Sequence, residues 1–343
     1  MATWETASEA DIGGYSSRVI LDCFDSQDHD DNCLMNDADN NATPSIYRVV
    51  RSASGCSTPF AGKKNTGSNF VKTGSNYIFQ LAEAYARVEQ LVANNSRDTG
   101  APIYAVGLLI DNTKAVDIVV EAVTNPGAGL GWGIYATENN NLIYGCIVSN
   151  CKTIGIFINL GGGETSGAVC CTAADNATGF ACAAGGLNYL FSCYAQDNTT
   201  EISEVEVWDG GDWNASKGDD TADLGGAATY FDNSQDWSGS LDGDYLAANG
   251  SLSADASGAG DHNSGKNPVC PLTSDFSGTW DPDNFFTGPD VLFYKDIAGN
   301  ARPAADNAAW DVGASEFVGV AGVAPTGGLY GPLVGPMGGP INV

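Results

Sequence analysis

Positive charge is what this sequence has least of. Its 343 residues include 14 lysines and arginines and two histidines against 42 acidic residues, a formal net charge of −28. A field of that sign repels nucleic-acid phosphates and anionic bilayers, which argues against nucleic acid or membrane as partners. No run of 18 apolar residues occurs, so no membrane-spanning helix is expected. The opening "MATWETASEADIGGYSS" has neither the basic segment nor the apolar core of a secretory signal. Cys-x-x-Cys is absent and the histidines are far apart, which leaves no thiolate–imidazole metal motif. His29 and His262 both sit in polar stretches, and no Ser-His-Asp arrangement is readable around them. "GGGETSG" at 161–167 follows a strand pattern but opens no helix and has no lysine, so it is not a nucleotide-cradling loop.

Glycine and cysteine, by contrast, are plentiful. Forty-four glycines, 43% apolar and only 16% charged residues describe a globular chain of short strands and tight turns. Strand-like runs recur: "APIYAVGLLIDN", "AVDIVVEAVTN", "LIYGCIVSN", "GAVCCTAADN" and "YLFSCYAQDN". Several end on Asn or Asp-Asn, side chains that tolerate left-handed turns. Asn125 to Asn150 is 25 residues, Asn150 to Asp175 is 25, and Asp175 to Asp197 is 22. A second series, "GWGIYA", "TIGIFI" and "ATGFACA", repeats between them. Two short β-branched strands and a variable loop per repeat fit a parallel β-solenoid; the segments are too short and too glycine-punctuated for helices. The fold class is therefore all-β.

Stacking these repeats puts Cys146, Cys171 and Cys193 at equivalent places on successive coils. Coils lie about 4.8 Å apart, within disulfide reach, but a column of thiols packed as small hydrophobes is the preferred reading. Cys23 and Cys33, ten residues apart in a polar loop, are the better disulfide candidates.

The chain divides into N-terminal strands and an irregular cap (1–69), coils (70–210), a less regular β-rich closing region (211–317) and a Gly/Pro-rich apolar arm (318–343). A cap is expected because an open last coil exposes unpaired backbone groups. The arm holds eight glycines, four prolines and no charge. Such a segment cannot build a core of its own. It reads as an extended arm anchored on a neighbouring subunit by Leu329, Tyr330, Leu333, Val334, Met337 and Ile341.

Chemistry is hard to find. Glu201, Glu204, Glu206, Asp209 and Asp212 cluster beside Trp208 and Trp213, a set that a glycosidase would need at a defined carboxylate spacing; a solvated acidic rim is the preferred reading. Lys152 is the only basic residue between Lys114 and Lys217, which argues against a polyuronate lyase. No catalytic residue and no cofactor are assigned. A structural divalent cation such as calcium would suit the oxygen-rich "DSQDHDDN" (25–32) or "DPDN" (281–284), although neither is an EF-hand loop.

Two late stretches carry a resemblance. "DYLAANGSLSADASGAG" matches D-x-x-L-x-x-x-S-x-x-x-D-x-G loosely, at Asp244, Leu246, Ser251, Asp255 and Gly258. The closing D-x-x-G-x-x-R and D-[IV]-G-A-x-E patterns fall on Asp296, Gly299 and Arg302, and on Asp311, Gly313, Ala314 and Glu316. Over roughly 70–317 the chain resembles the right-handed parallel β-helix proteins of the pectin-lyase-like class, in particular virion-associated members encoded by tailed bacteriophages. The resemblance implies a right-handed parallel β-helix whose end is fastened structurally. Arg302 would pair with Asp311 or Glu316, and Gly313-Ala314 would lie against the last coil. It further implies a non-enzymatic particle protein, a capsid decoration or fibre-like subunit. That protein would be a homotrimer on the virion surface, in contact with other virion proteins such as the major capsid protein. A carbohydrate-active tailspike-like depolymerase and a bacterial surface-fibre adhesin are the alternatives.

Overall fold

Short runs of β-branched residues, several closed by a residue at positive φ such as Asn150, Asp175 or Asp197, wind into three parallel sheets. The computed structural model describes residues 19–24, 29–30, 32–36, 42–43, 46–97, 100–162, 164–183, 185–191, 193–203, 208, 210–212, 215–217, 244–246, 295–300 and 313–315. All regular elements among the described residues are strands.

Sheet A stacks β1 (Val19–Cys23), β3 (Arg48–Ser52), β6 (Arg87–Glu89), β9 (Lys114–Val116), β12 (Asn141–Tyr144), β15 (Thr165–Val169), β18 (Leu187–Phe191) and β21 (Gly210–Asp212). Sheet B stacks β4 (Ser68–Thr73), β7 (Leu91–Ser96), β10 (Val119–Thr124), β13 (Ile147–Ser149), β16 (Thr172–Ala174), β19 (Tyr194–Gln196) and β22 (Ala215–Lys217). Sheet C stacks β2 (Cys33–Asn36), β5 (Phe79–Ala82), β8 (Ile103–Leu108), β11 (Gly131–Ala136), β14 (Ile154–Ile158), β17 (Thr178–Cys182) and β20 (Thr200–Ile202). The chain visits A, B and C in turn, and every strand pairs in parallel with its equivalent one coil away. This is a right-handed parallel β-helix.

The stacking starts well before residue 70. Val19 pairs with Arg48 and Cys33 with Phe79, so the strands within 1–69 are rungs of the same three sheets. His29 also belongs to this first coil: it bridges Phe70 in parallel and stacks on its ring at 4.8 Å.

Inward residues form columns one coil apart. Val50, Val88, Ala115, Ile143, Ala168 and Leu190 line up in sheet A, and Cys33, Phe79, Val106, Ile134, Ile156 and Phe180 in sheet C. They join one continuous buried core. Like residues stacked on like residues keep each layer filled without large voids.

The corner residues account for the spacing seen in the sequence. Asn150, Asp175 and Asp197 all take left-handed φ values (54°, 55° and 56°) where the chain turns from sheet B to sheet C. Asn125 does not belong with them. Val119 pairs with Ile147 and Val123 bridges Cys151, so that coil is longer and Asn125 lies beyond the corner. Its amide instead donates to the carbonyls of Ala101 (3.1 Å) and Leu130 (3.4 Å).

The cysteine column is present and reduced. Cys146, Cys171 and Cys193 are fully buried in the core beside one another, and no disulfide joins any of the nine described cysteines. The Cys193 sulfur accepts the Cys171 backbone N–H at 3.4 Å. Burial pushes the Cys146 and Cys193 thiols well above their ordinary value, so they behave as small apolar groups. The expected Cys23–Cys33 bridge is corrected. Cys23 lies in sheet A and Cys33 in sheet C, both buried as thiols. Burial, then the neighbouring Asp22, raises Cys23 to about 12.

The second repeated motif has its own cause. In β11, β14 and β17 two successive residues turn inward, glycine first: Gly133-Ile134, Gly155-Ile156 and Gly179-Phe180. A Cβ on Gly155 would stand 2.7 Å from the Gly179 carbonyl oxygen and 2.9 Å from Asn176 Nδ2. The glycines thus leave room for a buried polar ladder of Asn176 and Asn198 at the sheet B–C corner.

Candidate functional site

The three flanks of the rod differ in what covers them. Sheet A's outward Leu142, Tyr144 and Tyr189 are buried. Sheet B is crossed by the residues of the closing motifs. Ile297, Ala314 and Leu246 pack on the outward column Val92, Val119 and Ile147. Ala314 N donates to Thr172 Oγ1 at 3.0 Å, and Ile297 N donates to the Ala314 carbonyl at 3.0 Å. Gly313, at φ +96°, comes so close that a Cβ there would stand 2.7 Å from Thr172 Oγ1. Asp296 holds its own turn, accepting Asn300 N (2.6 Å) and Nδ2 (2.9 Å). Tyr245 completes the strap by donating to Asp175 Oδ2 at 2.9 Å. The fastening expected at the end of the coil stack therefore lies along its side. Arg302, Asp311 and Glu316 lie outside the described residues, as do Leu329, Tyr330, Leu333, Val334, Met337 and Ile341.

Among the described residues sheet C is the open flank. One outward column reads Leu34, Gln80, Gly107, Tyr135, Phe157 and Ala181; the other reads Tyr104, Trp132, Ile154, Thr178 and Thr200. No member of either column is charged, and Gln80, Tyr104, Trp132, Tyr135, Ile154, Phe157 and Thr178 are all half-buried rather than covered. Their rings form a continuous strip. Tyr77 and Tyr104 stack at 6.1 Å between centroids, Tyr104 and Tyr135 lie at 5.8 Å, Trp132 and Tyr135 at 4.7 Å, and Tyr135 and Phe157 at 5.7 Å. Centroid separations of this size are those of attractive, offset aromatic contacts.

Local sequence explains why the rings lie flat. Gly107 follows Tyr104 by three residues, and a Cβ there would be 2.5 Å from Tyr104 Cε2, so the glycine gives the ring its place. Tyr104 Oη donates to Gln80 Oε1 at 3.1 Å, and Asn159 Nδ2 donates to Tyr135 Oη at 2.9 Å. Burial, then Tyr77 and Tyr135, raises the Tyr104 phenol and keeps it neutral. Trp132 Nε1 is enclosed and has no acceptor. Leu130, 41% exposed, stands just before β11.

Carboxylates gather at the far end of the same strands. Glu138 is pushed above the ordinary carboxyl range by desolvation, by the charge and hydrogen bond of Glu164, and by Asp111. Two carboxyls in direct hydrogen bond are closer than either glycosidase spacing, about 5–5.5 or 6.5–9.5 Å. The pair therefore acts as an electrostatic feature with a pH signature. Because the folded value is raised, its stabilisation is present below the ordinary carboxyl value and is lost as pH rises through the folded one. Glu138→Gln should melt at a higher temperature than the native chain at pH 7, with the difference vanishing towards about pH 4. Glu138 is exposed, so the gain should be small, about 0.5 kcal/mol; equal shifts at both pH values would sink this reading.

Of the acidic and aromatic cluster singled out in the sequence, only the side chains of Glu201 and Trp208 are among the described residues. Trp208 is 5% exposed and belongs to the core, so it offers no stacking face. Glu201 is buried and accepts Asn198 Nδ2 at 2.6 Å. The side chains of Glu204, Glu206, Asp209, Asp212 and Trp213 lie outside the described residues. Among the described residues no group of three or more His, Cys, Asp or Glu is placed to hold a metal ion. "DPDN" at 281–284 and most of the acidic stretch at 25–32 lie outside them.

Compared with protein-family models, curated proteins and solved structures, the chain matches none.

Proposed function

We propose that this chain is a non-enzymatic structural subunit of a bacteriophage particle, a capsid decoration or fibre-like protein that assembles as a homotrimer through its C-terminal arm. The observation that carries this reading is the strap. The same stretches that resemble the virion β-helix proteins are spent on locking the coil stack from the side, through Ile297, Ala314 and Leu246 on sheet B. Three continuous sheets so fastened make a stiff rod, which suits a load-bearing surface part. The uncharged arm and the strong net charge add to it: subunits of charge −28 repel one another except where neutral surface meets neutral surface.

Deleting 318–343 is the direct test. The shortened chain should keep its circular dichroism and melting temperature but sediment as a monomer where the full chain sediments as a trimer. Normal assembly of the shortened chain would refute the arm's role. Cryo-microscopy of the particle should place the rod on its surface, and localisation to a cellular compartment with no particle would overturn the virion reading.

The half-exposed aromatic strip on sheet C favours one second reading, a carbohydrate-active depolymerase, because aromatic faces also stack on sugars. Release of reducing sugar from host capsule would establish it.

A further inference from the structure

We propose that the aromatic flank of sheet C is the docking site for the Gly/Pro-rich segment 318–343 of a second copy of this chain. The inference rests on the arm-led assembly proposed above and names its receiving surface.

The flanks decide where. On sheet A the outward Leu142, Tyr144 and Tyr189 are buried and sheet B carries the strap, whereas Tyr104, Trp132, Tyr135 and Phe157 remain half-open on sheet C. Neither outward column of that sheet has a charged residue, in a chain of net charge −28. An uncharged segment of another copy meets little electrostatic resistance at those two columns.

Chemistry decides what. The segment has no charge, and Pro325, Pro332, Pro336 and Pro340 space its apolar side chains. Proline-rich strands are recognised by aromatic-lined surfaces. The pyrrolidine rings lie on the aromatic faces, and the extended conformation is largely prepaid in entropy. Length is ample. The strip from Tyr77 to Phe157 covers three coil steps, roughly 15 Å at about 4.8 Å each. Twenty-six extended residues span about 80 Å at about 3.1 Å each.

Geometry decides whose. Gly313 and Ala314 are held on Thr172 of sheet B, four residues before the segment begins. A rod with three flanks that passes a segment from its sheet B side to the sheet C side of the next copy makes a heterologous contact. Such a contact builds a ring where its rotation closes, and the trimer proposed above is the ring of three.

The test uses the full chain with Tyr330→p-benzoylphenylalanine, mixed in equal parts as 15N-labelled and unlabelled protein. After irradiation, cross-linked peptides of mixed isotope composition should join position 330 to the segments holding Trp132, Tyr135 or Phe157. In parallel, Tyr135→Asp, and Thr178→Asp as a milder variant, should weaken self-association by about tenfold or more with unchanged circular dichroism. Cross-links confined to one chain, or landing on other flanks, would overturn the proposal. So would native-like association of both folded variants. If deletion of 318–343 abolishes assembly while the cross-links lie elsewhere, arm-led assembly stands and this docking site falls. If the full chain neither associates nor cross-links, both fall. Retention on immobilised polysaccharide that Tyr135→Asp abolishes, with no cross-link, would assign the flank to a sugar and overturn the proposal as well.

Discussion

Glu83→Ala should lower the free energy of unfolding by about 3–5 kcal/mol, the usual cost of stranding one member of a buried ion pair. Arg48 and Glu83 are both inaccessible to solvent, and Arg48 Nη2 contacts Glu83 Oε2. The same nitrogen donates to the Asn36 carbonyl at 2.9 Å. Arg48 opens β3 in sheet A, Asn36 ends β2 in sheet C, and Glu83 follows β5 in sheet C. The guanidinium therefore ties the first two coils together where the chain passes from sheet C to sheet A. A guanidinium cannot shed its proton in a protein. Removing the carboxylate leaves a full charge in a dry corner without its counter-ion. The pair itself need not be a net gain, since desolvating both ions offsets most of their attraction. The double variant Arg48→Met/Glu83→Leu should accordingly lose much less than the sum of the two single variants. Urea denaturation at constant m-value measures all three, and additive losses would contradict this account.

That pair also marks where sequence reasoning stopped. "SIYRVVRS" reads as a strand, but nothing in it shows that Arg48 is buried or that its partner lies 35 positions on. The pairing depends on a long second coil, Val49 to Arg87, whose length no local pattern announces. Where coils keep nearly constant length the sequence was legible. Asn150, Asp175 and Asp197 were found by spacing because each must turn left-handed at the same corner. The cysteine column followed from the same register. Asn125 was misplaced because one longer coil shifts the register by a few residues, and spacing alone cannot see which loop absorbs them.

The candidate site was hidden for a different reason. Strict alternation assigns every second residue of a strand to one face. In "GWGIYA" a glycine and an isoleucine both turn inward, so Trp132 and Tyr135 share the outer face although three residues apart. The available signal was the glycine that recurs in "GWGIYA", "TIGIFI" and "ATGFACA", since a glycine repeated at one register marks a place where something else needs the space. Trp208 shows the opposite error. An aromatic beside acidic residues invites a sugar-binding reading, yet it closes the core at 5% exposure. The strap on sheet B was only half readable: its motifs were recognisable, while the surface they grip depends on three-dimensional stacking.

The polar ladder that those glycines accommodate should prove as costly to break as the ion pair. Asn176→Leu keeps the side-chain shape and removes its hydrogen bonds, and a loss of about 2–6 kcal/mol is expected, at about 1–3 kcal/mol for each buried group stranded. Two backbone groups depend on this side chain. Asn176 Oδ1 accepts the Cys151 N–H at 2.8 Å, and Nδ2 donates to the Val148 carbonyl at 3.1 Å. Val148 lies within β13, but Cys151 stands past the end of that strand where the chain turns the corner, so no regular rung replaces the partner its N–H would lose. Asn198 repeats the arrangement one coil on, accepting Asn176 N at 2.8 Å and donating to the Ala173 carbonyl at 2.9 Å. The ladder thereby holds successive corners in one register, and its rupture should be felt beyond the substituted coil. Hydrogen exchange would locate the damage: the Cys151 amide should lose protection most, while the Ile156 and Phe180 amides in the adjoining sheet keep theirs relative to the lowered global stability. Gly155→Ala intrudes on the same side chain, 2.9 Å from Asn176 Nδ2. Its cost should therefore be smaller in the Asn176→Ala background than alone, because the shortened side chain vacates that space. Strict additivity of those two substitutions would show that the glycines serve only the backbone, and that the ladder does not dictate the repeat.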